Sequence, residues 1–269
     1  MTSFRRAGTR ELAKVMHTLS SLAVLRLAAV EMGSRGVAAL SDAFLNTAED
    51  NARGRIAGSG DSEETGAKAV PLMQLDVENN EIGDNGAEDL AEALAVMPNL
   101  QVLKVAGNRP AFEGTQAIMN CIGSLSALQV LTMGDAIGGA RYSRKQPVAG
   151  GGMTWEGIHL LTARLPHVAG LRELRLLGLG APVISGFMDE VMLDLCNAMR
   201  QLPSLQVLDL RGLGFMSTVA AAEFAHAVHH APALSLVDLS GSHLGPGAVE
   251  VLRTQTSQAT CHVLLQGSD

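Results

Sequence analysis

A short aliphatic pattern recurs along the chain and restricts its fold more than any other feature. The pattern is Leu, two residues, Leu, one residue, and then Leu or a similar side chain. Its clear copies begin at Leu22, Leu72, Leu100, Leu128, Leu171, Leu205 and Leu234. The steps between them are 50, 28, 28, 43, 34 and 29 residues, so the period is 28 or 29 residues and the longer steps contain insertions. A degenerate last copy lies at Thr260, Val263 and Leu265.

Each period predicts one strand followed by one helix. The leucines of the short strand point inward, so neighbouring strands stack into a parallel sheet over a continuous leucine core. In the second unit, Gly83 makes the turn, Ala87, Leu90 and Leu94 follow at helical spacing, and Pro98 lies beyond the helix end. A single unit cannot bury its own apolar face, so the units depend on their neighbours.

The amino-terminal segment matches the helical half of this unit. Residues 8–27 align without gaps on residues 86–105, which predicts a capping helix over residues 1–21. A competing hypothesis is a mitochondrial import signal, because the segment contains Arg5, Arg6 and Arg10 and is poor in acidic residues.

The segment LMQLDVENNEIGDNGAEDLAEALAVMPNL, from Leu72 to Leu100, resembles the ribonuclease-inhibitor-like subfamily of leucine-rich repeats. The resemblance implies an α/β fold: a curved horseshoe-shaped solenoid with a parallel sheet on its concave face and helices on its convex face. It extends over nearly the whole chain, which would form one domain, 1–269, of about seven to eight units ending in a cap strand and tail at 259–269.

The resemblance also implies an asparagine after each strand that bonds the neighbouring backbone turns. Asn80 and Asn108 occupy this position in two units, and other residues occupy it elsewhere. We therefore expect the later turns to satisfy their backbone groups in another way. The replacing residues are Val30, Ala136, Leu179, Leu213 and Ser242.

Composition limits the classes of partner. Hydrophobic residues make up 47% of the chain, enough for a large core, and the formal net charge of −7 disfavours nucleic acid as a partner. No apolar run is long enough for membrane insertion. The three widely spaced cysteines indicate reduced thiols in an intracellular, cytoplasmic protein rather than a disulfide framework.

Two insertions interrupt the array. Residues 46–68 are polar and rich in Gly and Ser, which predicts a flexible loop. Residues 138–152 carry Arg141, Tyr142, Arg144 and Lys145 between glycines. Arg and Tyr are frequent interface anchors, so this basic loop is either a partner-binding element or a solvated loop.

Two further surfaces are candidates for partner binding. Apolar residues, including Phe187 and Phe215, lie in or near the strand-to-helix loops, where they either form a contact patch or fold inward. The concave face takes a row of outward strand residues with a basic centre at Arg172 and Arg175 and an acidic end. The row is Arg26, Asp76, Lys104, Thr132, Arg175, Asp209 and Asp238.

The sequence contains no recognisable catalytic motif. Phosphate-binding glycine loops, a GxSxG elbow and an HExxH pair are all missing, so we expect no catalytic residues, cofactor or metal. His226 and His230 share a helix face, but they lack the HExxH glutamate and suit an exposed helix end.

The favoured function is a non-catalytic scaffold that binds another protein or forms part of a larger assembly. An organelle-assembly subunit, mitochondrial in location, is one alternative. The other is a GTPase-activating regulator of the RanGAP type, which the subfamily includes and in which an arginine in an early strand-to-helix loop is important. Arg35 is the candidate here.

Overall fold

The computed structural model describes residues 3–19, 21–56, 70–110, 112–134, 155–178, 185–214, 216–245 and 247–267. Within these ranges, eight α-helices alternate with eight strands. The helices are α1 Ser3–Val15, α2 Gly33–Ile56, α3 Gly83–Leu94, α4 Phe112–Ile122, α5 Trp155–Arg164, α6 Ser185–Met199, α7 Thr218–His229 and α8 Ala248–Thr256. The strands are β1 Val24–Arg26, β2 Gln74–Asp76, β3 Val102–Lys104, β4 Val130–Gly134, β5 Glu173–Leu177, β6 Val207–Asp209, β7 Leu236–Asp238 and β8 His262–Leu264.

The strands form a single parallel sheet in chain order, from β1 to β8. The second leucine of the repeat points into the core in every interior strand, and the side chains of Leu75, Leu103, Leu131, Leu174 and Leu208 are completely buried. Consecutive helices pack on one another along the other side of this core. The α/β solenoid predicted from the repeat is confirmed, with the parallel sheet on the concave face and the helices on the convex face.

The amino-terminal helix closes one end of the array. Helix α1 and the 3-10 turn that follows it pack against α2. Met16 is buried and Leu12 is partly buried against the core. Leu25 of the first strand consequently stays buried although it has a neighbouring strand on one side only.

Two buried asparagines join the first three turns. The Oδ1 atom of Asn80 accepts hydrogen bonds from the N–H groups of Val30 (3.1 Å) and Met32 (3.2 Å) in the preceding unit. The Oδ1 atom of Asn108 accepts from the N–H of Asn80 at 2.8 Å, and its Nδ2 donates to the carbonyl of Val77 at 2.9 Å. The asparagines thus satisfy backbone groups that would otherwise be buried without partners.

The turn after β7 uses a shorter side chain, Ser242, at the same position and bonds the turn after β6. The Oγ atom of Ser242 accepts a hydrogen bond from the N–H of Leu213 at 3.2 Å and donates to the carbonyl of Leu210 at 3.4 Å. A hydroxyl satisfies fewer groups than an amide. This confirms the expectation that a late turn is satisfied in another way.

The expected loop at 46–68 is wrong at its beginning. Helix α2 continues through residue 46 to Ile56, and Thr47 and Ala48 are buried. The hydroxyl of Thr47 donates to the carbonyl of Ala43 at 2.7 Å, and no Gly or Pro interrupts residues 46–53. Buried contacts therefore outweigh the polar composition. Residues 57–68 and the basic loop 138–152 lie outside the described residues.

Strands β4 and β5 are longer than the others. Their register continues to Met133–Leu176 and Gly134–Leu177, whereas the other strands have three residues. Gly134 has a φ of 94°, and a Cβ atom there would lie 2.0 Å from the carbonyl oxygen of Leu177. Only glycine fits this approach. In the sequence, the basic loop 138–152 begins four residues after Gly134.

Candidate functional site

The concave face carries the predicted row of outward side chains in exact register. Each strand pairs with the next so that corresponding repeat positions are neighbours. We call these residues the central row: Arg26, Asp76, Lys104, Thr132, Arg175, Asp209, Asp238 and Leu264. The register places the predicted charges side by side across the sheet.

The aspartates of the central row have a structural role as well as a surface role. Each accepts a hydrogen bond from the backbone N–H two residues later. The Oδ1–N distances are 3.2, 3.2 and 2.9 Å for Asp76, Asp209 and Asp238. Short acidic side chains favour such local bonds where a strand ends. The turn therefore gives a structural reason for aspartate to recur at this position, in addition to any role in binding a partner.

The acidic end predicted for the row is partly neutralised, because one arginine lies between its two aspartates. Arg211 binds Asp209 through two hydrogen bonds, Nε–Oδ1 at 2.9 Å and Nη2–Oδ2 at 2.7 Å. Its Nε lies 3.6 Å from a carboxylate oxygen of Asp238. The bond to Asp209 raises the pKa of the Arg211 guanidinium. Sequence reasoning missed Arg211, although its position two residues after Asp209 puts it on the same face of the sheet.

The predicted basic centre contains one paired and one unpaired arginine. Arg175 donates to Glu173 at 2.9 Å, and both side chains are partly exposed. Arg172 is exposed, and its guanidinium makes no hydrogen bond to another residue in the described ranges. Lys104 is partly exposed in the strand before Thr132.

Glu78 adds an acidic group to this centre that the sequence did not single out. Burial, and then the carboxylate of Asp76, raise the pKa of Glu78, whereas Lys104 and Arg175 lower it. The net effect is a raised pKa. The centre therefore contains two acids, Glu78 and Glu173, that lie near basic side chains. It also contains two bases, Lys104 and Arg172, that form no ion pair within the part of the chain that the structure describes.

One family model matches a single unit of the array. The sequence model for the Leucine Rich repeat matches residues 70–91, which include β2 and most of α3. These residues belong to the unit whose strand, turn and helix the other units repeat.

The chain folds as a leucine-rich-repeat solenoid.

Solved structures show distant similarity. The C-terminal domain of tropomodulin from Caenorhabditis elegans is 13% identical, covers 83% of this chain and 92% of its own, and gives a TM-score of 0.40. A leucine-rich-repeat protein of Leptospira interrogans is 12% identical, covers 96% of this chain and 81% of its own, and gives a TM-score of 0.20. A comparison with curated proteins finds no match.

Only part of the rim of this solenoid lies within the described residues. Phe112 is exposed at the start of α4, whereas Met216 is completely buried. Phe187 belongs to α6, but its side chain and all of Phe215 lie outside the described residues. The same holds for the basic-loop residues Arg141, Tyr142, Arg144 and Lys145. The structure therefore describes the side chains of Arg172 and Arg175, and all the predicted anchors stay a proposal.

Arg35 lies in the first turn of α2 rather than in the preceding loop. Its side chain is exposed and makes no hydrogen bond within the described ranges. The helix begins at Gly33, two residues before Arg35, and Gly33 has a positive φ of 63°.

The histidines and cysteines are arranged as parts of the fold. The rings of His226 and His230 lie 4.2 Å apart, and the Nδ1 of His230 lies 2.8 Å from the carbonyl oxygen of His226. Burial raises the pKa of Cys121 and Cys196 to about 12 and that of Cys261 to about 11, so little thiolate forms at neutral pH.

Within the described residues, no group of three or more His, Cys, Asp or Glu residues is arranged to hold a metal ion. No helix in the same ranges has the length and apolar character needed to cross a membrane.

Proposed function

We propose that this leucine-rich-repeat protein is a non-catalytic scaffold that binds a protein partner across the centre of its concave face. The observation that carries the proposal is the charge arrangement around Arg172. This exposed guanidinium has no partner within the described residues. The hydrogen bond from Arg175 to Glu173 fixes the orientation of a second guanidinium, that of Arg175. Arginines of this kind are frequent interface anchors.

The mixed signs around Arg172 suit a protein better than a polyanion. Glu173 and Glu78 lie among the bases, and the chain has a net charge of −7, so a nucleic acid would meet repulsion as well as attraction. A folded protein surface can instead match each sign separately.

The basic loop 138–152 is proposed as a second contact. The loop follows Gly134 in the sequence. Gly134 is the last residue of β4, which lies in the middle of the sheet and pairs with the strand that carries Arg175. We therefore include Arg141, Tyr142, Arg144 and Lys145 in the proposed contact. Phe187 and Phe215, which follow β5 and β6 in the sequence, are part of the same proposal.

The experiment is quantitative affinity purification from the protein's own cells. We expect Arg172→Glu and a deletion of residues 139–150 each to reduce a specific co-purifying protein at least tenfold, without lowering the melting temperature. Arg253→Glu, at an exposed arginine on α8, is the matched control and should retain the partner. Unchanged recovery with Arg172→Glu would remove the concave centre from the proposal.

A GTPase-activating role is a second proposal, favoured by one observation. Arg35 is exposed near the strand-to-helix rim and free of hydrogen bonds to the described residues, so it could reach a bound nucleotide's phosphates. Purified protein should then accelerate GTP hydrolysis by a small GTPase, and Arg35→Ala should abolish the acceleration. No acceleration across a panel of small GTPases would contradict it.

A further inference from the structure

Thr132 is the only uncharged member of the central row in strands β2 to β7. The register of the sheet places it between Lys104 of β3 and Arg175 of β5. Neighbouring strands lie about 4.8 Å apart, and both basic side chains are longer than that of threonine. Thr132 therefore lies at the base of a slot between two basic side chains. We call Lys104, Thr132 and Arg175 the basic slot.

The hydroxyl of Thr132 is buried without a hydrogen-bond partner. Thr132 is only 3% exposed, and its Oγ1 atom forms no hydrogen bond with any residue that the structure describes. Most buried polar side-chain atoms have at least one partner. The hydroxyl can donate its hydrogen, but the Lys104 ammonium and Arg175 guanidinium groups beside it are donors only and cannot accept it. The neighbours of Thr132 in the row therefore leave its hydroxyl without an acceptor.

The bases of the slot add further donors. Lys104 is partly exposed, and its Nζ forms no hydrogen bond or ion pair with the described residues. Arg175 donates through one guanidinium nitrogen to Glu173 and has further N–H groups. The acids nearby already accept bonds, since Asp76 accepts from the N–H of Glu78 at 3.2 Å and Glu173 accepts from Arg175. The slot therefore has more donors than acceptors.

We propose that the basic slot binds the carboxylate of one Asp or Glu side chain of the protein partner. A carboxylate only accepts hydrogen bonds, and its two oxygens can accept from the Thr132 hydroxyl, the Lys104 ammonium group and the remaining N–H groups of Arg175. Lys104 and Arg175 are partly exposed, so their side chains can rotate apart to admit it. The inference rests on the proposed scaffold function and names the chemical group that the partner presents at the centre of the concave face.

Two further observations favour a single carboxylate over a doubly charged phosphate. The acids Glu78 and Glu173 lie near the bases of the slot, so a second negative charge would add repulsion. Val102 and Val130 pair with each other on the same face of the sheet, two residues before the slot residues of β3 and β4, and both are partly exposed. These valines offer an apolar surface to the methylene groups that lead to a carboxylate.

The direct test is methyl-resolved NMR of the full chain, with labelled Thr and Val methyl groups and sodium acetate as the carboxylate probe. Acetate should shift the signals of Thr132 and Val130 along a saturating curve, with half-saturation on the order of 10 mM for so small a ligand. Thr162 of α5, whose hydroxyl donates to the carbonyl of His159 at 2.9 Å, is the internal control and should not shift. Sodium chloride at the same ionic strength should not reproduce the shifts.

Thr132→Val removes the hydroxyl and keeps the shape of the side chain, so it should raise the half-saturation concentration of acetate, measured at Val130, at least fivefold. Thr132→Ser keeps the hydroxyl and should bind acetate like the unaltered chain. Because the hydroxyl has no partner within the described residues, Thr132→Val should not lower the melting temperature, and a loss of stability would assign the hydroxyl to the fold instead. Thr162→Val is the matched control: it should lower the melting temperature and leave acetate binding unchanged.

The proposal is overturned by signals that do not saturate at Thr132, by a tighter response to inorganic phosphate than to acetate, or by unchanged acetate binding in Thr132→Val. In the affinity purification, Thr132→Val should reduce the same protein that Arg172→Glu loses. A protein lost with Arg172→Glu but retained with Thr132→Val would overturn the slot as a contact and leave the scaffold function standing. Saturable acetate binding without any specific co-purifying protein would contradict the scaffold function instead and support the carboxylate site.

Discussion

Single residues adopt the left-handed backbone conformation at the same place in almost every unit. The position three residues after the central row has a positive φ in each described turn, and glycine occupies most of them. The residues are Ala29, Asn79, Gly107, Gly178, Gly212, Gly241 and Gly267. Glycine and asparagine tolerate this region, whereas alanine is strained in it.

Ala29→Gly should stabilise the protein. The substitution relieves the left-handed strain at φ 55°, and after the added entropy of the unfolded chain the net gain is about 0.5–1 kcal/mol. Chemical denaturation would measure it. Ala28→Gly is the matched control, because Ala28 has no positive φ and should lose stability. Equal effects of the two substitutions would contradict the explanation.

Glu78 predicts a pH-dependent stability. Its folded-state pKa is raised, so the folded protein binds this proton more tightly and loses stability as pH rises through that pKa. Glu78→Gln should therefore raise the melting temperature at pH 7 and have little effect near pH 3. Glu88→Gln, at an exposed position of α3, should change neither value. A lower melting temperature for Glu78→Gln at pH 7 would mean that Lys104 and Arg175 stabilise the ionised form more than burial opposes it.

Among the elements, the β4–β5 pair differs most from its neighbours. The two extra residue pairs bring Gly134 against the backbone of Leu177. The elongated ladder therefore ends in a close approach of two backbones.

Gly134→Ala should destabilise the protein by about 3 kcal/mol or more, because the new methyl group would collide with a backbone oxygen. Gly241→Ala is the control: its φ is also positive, but no atom lies near the added Cβ, so only about 1 kcal/mol of conformational strain is expected. Thermal unfolding of both variants checks the difference, and similar losses would show that the close contact is unimportant.

How far the sequence predicts these elements depends on whether the repeat fixes them. The inward leucines and the strand register follow from the period, because each copy occupies the same environment, and the roles of Asn80 and Asn108 follow from the family resemblance. The extension of α2 to Ile56 does not, since it depends on burial of Thr47 and Ala48 by neighbours. The Arg211 pairs could not be predicted either, because they depend on side-chain conformations within one turn and between adjacent strands.

At the scale of the whole molecule, stability depends on neighbour contacts along one dimension. Each unit packs only on the units before and after it, so the ends are the least supported parts. Helix α1 supplies this support at one end.

Deletion of residues 3–18 should therefore lower the melting temperature by several degrees and increase the binding of a hydrophobic dye, because α2 loses its covering helix. Deletion of residues 139–150 is the comparison and should leave both measurements near those of the intact chain. An unchanged melting temperature without α1 would mean that the first unit needs no cap.

The residue-for-residue register of the sheet sets the distance between neighbouring side chains of the central row. Because no strand is shifted against the next, the central row crosses the strands in steps of about 4.8 Å. A ligand segment in extended conformation advances about 3.4 Å per residue and would drift out of phase with these steps. A helix presents one side chain per turn of about 5.4 Å along a given face, so it would keep nearly one contact per strand over several strands. The spacing of side chains across the concave face therefore matches the pitch of a helix more closely than the rise of an extended segment.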